Sequence, residues 1–493
     1  MRHALRSAVA VVVGGLTLSF AGPAAGDWPQ WRGANRDGRA ADFAPPQAWP
    51  KELKPAWTVP VGEGVATPAL VGDKLYVFSR EDGNEITRCL QAADGKEVWT
   101  DKYAAQGAQG PAASFSGPRS SPAVSDGKVV TLGVRGTLSC LDANSGKVLW
   151  RKDDFGGATP RFFVSSSPMI VDSLVIAQLG REDGGAVVAY DLNTGEQKWK
   201  WDGDGPAYAS PALMTVGGEK LVVAETNRKV VALKAADGTL AWETPFQPQG
   251  MGGYNAATPV VEGDTIIYSG GGRGTKAVQL SKDGDTYAAR ELWANPDTAV
   301  QFNTPVLKEG MLYGITQGNE LFCIDAKSGK TLWTAPAPAS PGGPGRGGPG
   351  GRGGFGGGPG GPGGPGGPGG RGGPGGQDAE RRAREQAGGP GGPGAQGGPG
   401  GPGGPGRGGP GGPGGPGGGR GGRGGGYGSV VDAGGVIVAL TPAAELVVFK
   451  PGGQFAEVAR VKVAPTQTHA HPVLAGNKMF IKDQKSVVAY SFE

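Results

Sequence analysis

The chain is poor in the residues that most often carry chemistry. It has three Cys, three His and six Met among 493 residues. No two Cys are adjacent, and the absence of a Cys-x-x-Cys-His stretch excludes a c-type haem attachment site. Beyond the first few residues the only imidazoles are His469 and His471. The longest apolar stretch, Ala8–Phe20, is too short for a comfortable membrane-spanning helix. Helical periodicity is scarce, confined to that stretch and a charged island at 377–387. Charge of one sign is scarce too. The net charge is +4 with His neutral, but 341–426 holds nine Arg against Asp378, Glu380 and Glu385. With that block and the N-terminal Arg2 and Arg6 set aside, the remainder is mildly acidic. The folded part therefore lacks a basic footprint for nucleic acid.

The few Cys are placed alike. Cys89, Cys140 and Cys323 each precede a Leu or Ile at one position of a repeat, where other copies carry Ala189, Ala232 and Ala489. That position wants a small buried side chain, and Cys serves as one. On different repeat units the three are too far apart to bridge.

Residues 1–26 read as a secretory signal. Arg2, His3 and Arg6 precede the apolar stretch, and Ala24-Ala25-Gly26 offers small residues before Asp27. The expected location is outside the cytoplasm, periplasmic or extracellular, with no membrane span after signal removal. No Cys lies near the cleavage point, which argues against a lipid-anchored form. Residues 27–54, opening Trp-Pro-Gln-Trp-Arg-Gly-Ala-Asn-Arg-Asp-Gly, form an irregular extended segment whose Trp28, Trp31 and Trp49 pack on the body.

From residue 55 one pattern recurs. Leu138–Trp150 is an apolar strand, a tight Asn-Ser-Gly turn and a strand ending in Trp. Copies run Cys89–Trp99, Val188–Trp199, Ala232–Trp242 and Cys323–Trp333, with a stretched one at Val278–Trp293. The Trp residues, Trp99, Trp150, Trp199, Trp242, Trp293 and Trp333, stand roughly 40–50 residues apart. Each unit begins with Ser/Thr-Pro, at Thr67, Ser121, Ser167, Ser210, Thr258 and Thr304, with His471-Pro472 as a divergent last copy. Asp126-Gly127 and its counterparts make two-residue turns. Four short antiparallel strands per unit at this period mean an all-β chain folded as a β-propeller. Pro has no N–H for a ladder and belongs on an edge strand. The Ser/Thr-Pro strands therefore line the axis and the Trp strands the rim. Ser429–Leu440 with Glu445–Lys450 supplies a further unit lacking both Pro and Trp. The count is eight blades, seven being the alternative. The last blade ends one strand short, and Trp57–Val61 is an outer strand without a blade. Pairing them closes the ring.

The organisation is thus a signal at 1–26, an extended segment at 27–54, blades one to six at 55–340, an insert at 341–426 and blades seven and eight at 427–493. The insert is nearly pure Gly-Pro with scattered Arg; it cannot bury apolar area and is expected to be disordered. Its Arg-Gly-Gly boxes at Arg346, Arg352, Arg371, Arg407, Arg420 and Arg423 are of a type that binds RNA, which an exported protein seldom meets.

The repeats Asp-Ala-Asn-Ser-Gly-Lys-Val-Leu-Trp at 142–150, Asp-Ala-Lys-Ser-Gly-Lys-Thr-Leu-Trp at 325–333 and Asp191–Trp199 resemble the tryptophan-docking motif of the pyrroloquinoline quinone (PQQ) repeat family. The resemblance covers nearly all of 55–493 outside the insert. It implies a quinoprotein-dehydrogenase-like propeller in which Gly146 and its counterparts make the turn. Each Trp then packs between blades and gives its N–H to a backbone carbonyl. Catalytic members hold PQQ on the axis with Ca²⁺, a catalytic Asp and commonly a disulfide of adjacent Cys. This chain has no Cys-Cys pair, and no carboxylate cluster is evident at the axial strand starts. Asp153-Asp154 and Glu182-Asp183 read as solvated loop charge, and Gly270–Gly274 as a hairpin turn rather than a phosphate loop. His469 and His471, two apart on a strand, point the same way without an identifiable third ligand.

No catalytic, cofactor-binding or metal set is therefore assigned, and the Trp residues are structural. The expected protein is a monomeric, non-catalytic binding or scaffold module for a protein, peptide or glycan. In architecture it resembles the propeller of the outer-membrane barrel-assembly machinery without its lipid anchor. No cofactor is expected, a PQQ- and calcium-dependent dehydrogenase with an atypical site being the alternative. Ligand contacts fall in the axial funnel, on residues two or three before the Ser/Thr-Pro pairs: Arg119, Tyr208, Asn255 and Phe302, with His469 their equivalent.

Overall fold

Four-stranded antiparallel blades follow from short alternating strands joined by turns that need φ > 0. Asp126 and Gly127 take φ of 50° and 67°, and Asp82-Gly83 and Glu309-Gly310 repeat the geometry. Both central residues then twist with the flanking strands. The computed structural model describes residues 26–250, 253–337 and 427–492. The signal, Gly26 apart, and the insert at 341–426 lie outside the described residues.

Eight such sheets are present. Blades one to six span 69–104, 123–152, 169–201, 212–245, 260–295 and 306–336; blade seven spans 429–462 and blade eight 473–491. Blade eight is completed by Pro55–Pro60, with Trp57 opposite Ala489 and Val59 opposite Val487. The first and last ordered strands thus share one sheet, which seals the ring without a free edge. The sole helical element among the described residues is a 3₁₀ turn at Gly110–Phe115. No helix among them is long and apolar enough to cross a membrane.

The Trp residues dock each blade on the next. Indole N–H groups of Trp99, Trp150, Trp199, Trp293 and Trp333 donate to the carbonyls of Ala143, Leu192, Ala235, Ala326 and Gly452 at 2.7–3.0 Å. Trp57 does the same from blade eight to Ala92 of blade one. Trp242 differs. It packs half-buried against the core cluster that contains Met214 and Val216, and no carbonyl among the described residues takes its N–H. In blade five the docking turn is replaced by a long hairpin, Gly274–Asp283 with Thr286–Asn295, so the accepting carbonyl is missing. Cys89, Cys140 and Cys323 are free and buried.

The inner strands are tied by their leading hydroxyls. The N–H of Thr67 donates to Ser121 Oγ, Ser121 to Ser167, Ser167 to Ser210, Ser210 to Thr258 and Thr258 to Thr304, while His471 donates to Thr67 Oγ1. This relay at 2.9–3.2 Å joins seven blades, and blade seven, without a Ser/Thr-Pro, stands outside it. A hydroxyl can accept the N–H that an edge strand leaves unpaired, which explains the Ser or Thr before the Pro in blades one to six.

Residues 27–43 close the channel from the far side. Trp28 pairs with Leu70 of blade one, Val124 of blade two donates to Pro29, and Ala40 donates to Asp432 of blade seven. Arg36 donates to the carbonyls of Ser167, Pro168 and Pro211, and Arg32 to those of Thr304 and Pro305. Both guanidiniums are buried, and the cost of desolvating them lowers their pKa to about 9 and about 10. Strand-edge carbonyls converging on the axis supply what a carboxylate would elsewhere.

Candidate functional site

The loops that lead into the inner strands meet around one cavity of about 380 Å³ on the axis. Each of seven loops brings a ring to it. Phe162 precedes blade three, Tyr208 blade four, Tyr254 blade five, Phe302 blade six, Tyr427 blade seven and His469 blade eight; Phe115 precedes blade two. The rings touch in sequence. Centroids lie 5.1 Å apart for Phe162–Tyr254, 5.0 Å for Tyr208–Tyr254, 5.6 Å for Tyr254–Phe302 and 4.1 Å for the stacked Phe302–Tyr427. Tyr427–His469 at 5.2 Å and His469–Phe115 at 4.7 Å continue the collar. Trp31 of the N-terminal segment and His471 form the floor, edge to face at 5.5 Å, with Thr67, Ser210, Thr258 and Thr304 around them.

Arg119 is the one ionised side chain in the described wall. Its guanidinium donates to the carbonyls of Phe162, Ala112 and Phe115. Three of its five N–H groups are so used, leaving two. Desolvation lowers its pKa. Tyr208 gives its hydroxyl proton to Glu182 and accepts from the Phe162 N–H. Glu182, read from sequence as solvated charge, thus steadies the wall from behind.

The imidazoles are sealed in. Burial lowers His469 to about 4 and His471 to about 3, so both are neutral at pH 7. Neither ring nitrogen of His469 has a hydrogen-bond partner, nor has Nε2 of His471, a residue only 7% exposed. Buried polar atoms left unpaired are uncommon and costly. Both residues line the cavity, while these three nitrogens are themselves closed off from it.

Four of the five residues expected in the funnel, Arg119, Tyr208, Phe302 and His469, line this one cavity. Asn255 does not. It is 1% exposed, and its amide donates to the carbonyls of Thr226 and Phe246. Its neighbour Tyr254, four residues before Thr258, takes the place. Tyr427 was missed because its blade has no Ser/Thr-Pro to count from, yet it stands two before Ser429, at the offset of Tyr208 and Phe302. Phe162 lies five residues before Ser167, an offset that only the folded loop explains.

The wall has the chemistry of recognition. Among the described residues no carboxylate lines it, so neither imidazole has there the acidic partner that orients a catalytic base. A calcium ion takes hard oxygen ligands, carboxylates foremost, and the residues here do not supply them. Among the described residues no group of three His, Cys, Asp or Glu is placed to hold a metal. The site therefore does not fit the PQQ–calcium centre implied by the repeat resemblance.

Comparison with known proteins agrees on the architecture. A family profile described as outer membrane protein assembly factor BamB matches residues 83–335. The BamB of Burkholderia pseudomallei is 27% identical over 299 residues, covering 57% of this chain and 69% of that protein. Among solved structures, BamB from Moraxella catarrhalis superposes with a TM-score of 0.54 at 13% identity, over 89% of this chain and all of that one. Quinohemoprotein alcohol dehydrogenase from Comamonas testosteroni gives 0.53 at 14% identity, over 94% of this chain and 80% of that one. At such identities the structural likeness speaks for the fold alone.

Proposed function

The chain belongs to the family described as outer membrane protein assembly factor BamB, and from that premise we propose that it is an exported binding propeller, without catalysis of its own, whose funnel end receives a partner. The observation that supports this most is the collar: seven inter-blade loops each bring a ring to the same mouth. Conserving the fold does not require that, since the Trp docking and the hydroxyl relay already hold the blades. Aromatic side chains with a few polar groups are the usual material of recognition surfaces.

The partner class best supported is a protein, because the matching family is named for assembly of outer membrane proteins. A peptide or glycan is the other occupant of such a collar. Placing a photo-cross-linking residue at Phe302, with Val98 on the rim as control, tests the assignment in the exported fraction. A partner captured at Phe302 and absent at Val98 is then purified and bound in vitro. Tyr254→Ala and Phe302→Ala should weaken that binding about tenfold or more while leaving thermal stability near wild type. Binding untouched by both substitutions would remove the collar from consideration. An adduct on polysaccharide instead of protein would reassign the partner.

The dehydrogenase reading is separable. Purified protein supplied with PQQ, Ca²⁺, an artificial electron acceptor and alcohols or sugars should show no substrate-dependent dye reduction.

A further inference from the structure

We propose that the group entering the funnel is a ring-bearing monocarboxylate, its carboxylate held at Arg119 and its ring among the side chains of the collar. This rests on the reading of the funnel end as the binding face and names what that face recognises.

Charge sets the first requirement. Arg119 is the single formal charge in the described wall, and no carboxylate lies there to balance it. Its three hydrogen bonds go to neutral carbonyls, so two N–H groups and the full positive charge remain for an incoming acceptor. The two imidazoles in the wall are neutral and add no further charge. One cation matches one anionic group. A polycarboxylate would press its remaining charges against aromatic walls, where nothing offsets their desolvation.

Shape sets the second. The cavity is blind, with Trp31 across the floor and Arg32 and Arg36 behind it bonded to the inner strands. A chain cannot thread through. A space of about 380 Å³ admits a small molecule or the terminal unit of a larger one. The collar supplies the third requirement, since Tyr254, Phe302 and Tyr427 present ring surface that a planar ring or the C–H face of a sugar covers. An acyclic acid would leave it wet.

The experiment is isothermal titration of the full mature chain with phenylacetate and galacturonate, each beside its uncharged counterpart, phenylacetamide and methyl galacturonate. At least one acid should bind about tenfold or more tightly than its uncharged counterpart. The ranking of the two acids tells a flat ring from a sugar ring. Arg119→Gln should abolish the preference for acid, and Arg119→Lys should restore part of it. Because Arg119 also ties three loop carbonyls, Tyr254→Ala provides an independent variant, which should weaken acid and uncharged counterpart alike. Equal affinity for acid and counterpart in the wild type, or no acid bound at millimolar concentration, overturns the inference. If neither acid binds while a partner is still captured at Phe302, this inference falls and the binding face stands. If both fail, the assignment of the face falls with it.

Discussion

The indole of Trp99 lies flat on Gly146 of the following blade. A Cβ at residue 146 would stand 2.5 Å from Cε3 of that ring, and Gly146 has φ +70°. Gly195 under Trp150, Gly238 under Trp199 and Gly329 under Trp293 repeat the contact. The turn glycine is thus fixed twice, by its left-handed backbone and by the ring above it.

Trp99→Ala should cost about 3–5 kcal/mol of unfolding free energy, through lost burial and a residual cavity. Gly146→Ala should cost about 1–3 kcal/mol, since both backbone and ring must shift. Trp242→Ala should cost less than Trp99→Ala, as its N–H has no carbonyl partner and its ring is half-exposed. Urea melts of the three variants check the order, and equal losses at 99 and 242 would contradict the docking account.

Arg36 ties blades three and four to the N-terminal segment through three carbonyls. Arg36→Ala leaves those carbonyls buried without a donor, and a loss of about 2–4 kcal/mol is expected. Arg39→Ala, which removes one bond to the Leu307 carbonyl from a more exposed side chain, should cost under about 1 kcal/mol. Thermal melts compare the two directly. A null effect at Arg36 would mean that the segment sits on the propeller without bracing it.

Acid should weaken the protein before carboxylates titrate. An unfolded imidazole takes a proton near pH 6.5, whereas His469 does so at about 4 and His471 at about 3. Between those values the unfolded chain binds more protons, so stability falls as pH falls. The slope is about 1.4 kcal/mol per pH unit for each imidazole. His471→Asn should flatten the dependence between pH 6.5 and 5 by about one proton. An unchanged slope would place His471 in water.

Glu225 is fully buried, and desolvation outweighs the attraction of Arg273, holding its carboxyl well above the ordinary range. Here the folded chain keeps a proton that the unfolded chain releases above about pH 4.5. Stability therefore falls as pH rises through that window. Glu225→Gln removes the penalty, so the variant should gain on wild type by about 1.4 kcal/mol per pH unit above pH 5, until the folded carboxyl ionises. Paired denaturation curves at pH 5 and pH 7 read the gain, and the same difference at both would refute the assignment.

Much of the fold was legible because its rules are local. Strand alternation, turn glycines, the recurring Trp and the Ser/Thr-Pro starts are set by neighbours within a few residues. Their period is enough to give eight blades and the closure of Trp57 on Ala489. The site was legible only in outline. Counting back from each Pro found Arg119, Tyr208, Phe302 and His469, but chose Asn255 over Tyr254, since the folded loop decides which side chain turns inward.

By itself the sequence determined the propeller, its ring closure and the radial direction of each blade, because those follow from short-range hydrogen bonding and burial repeated along the chain. Only the tertiary structure decided that Arg32 and Arg36 brace the inner strands, across 131 to 273 residues. It alone joined rings from seven loops into one collar over two unpaired imidazoles. Contacts of that range depend on where a closed ring brings distant loops, and no local pattern encodes the meeting point.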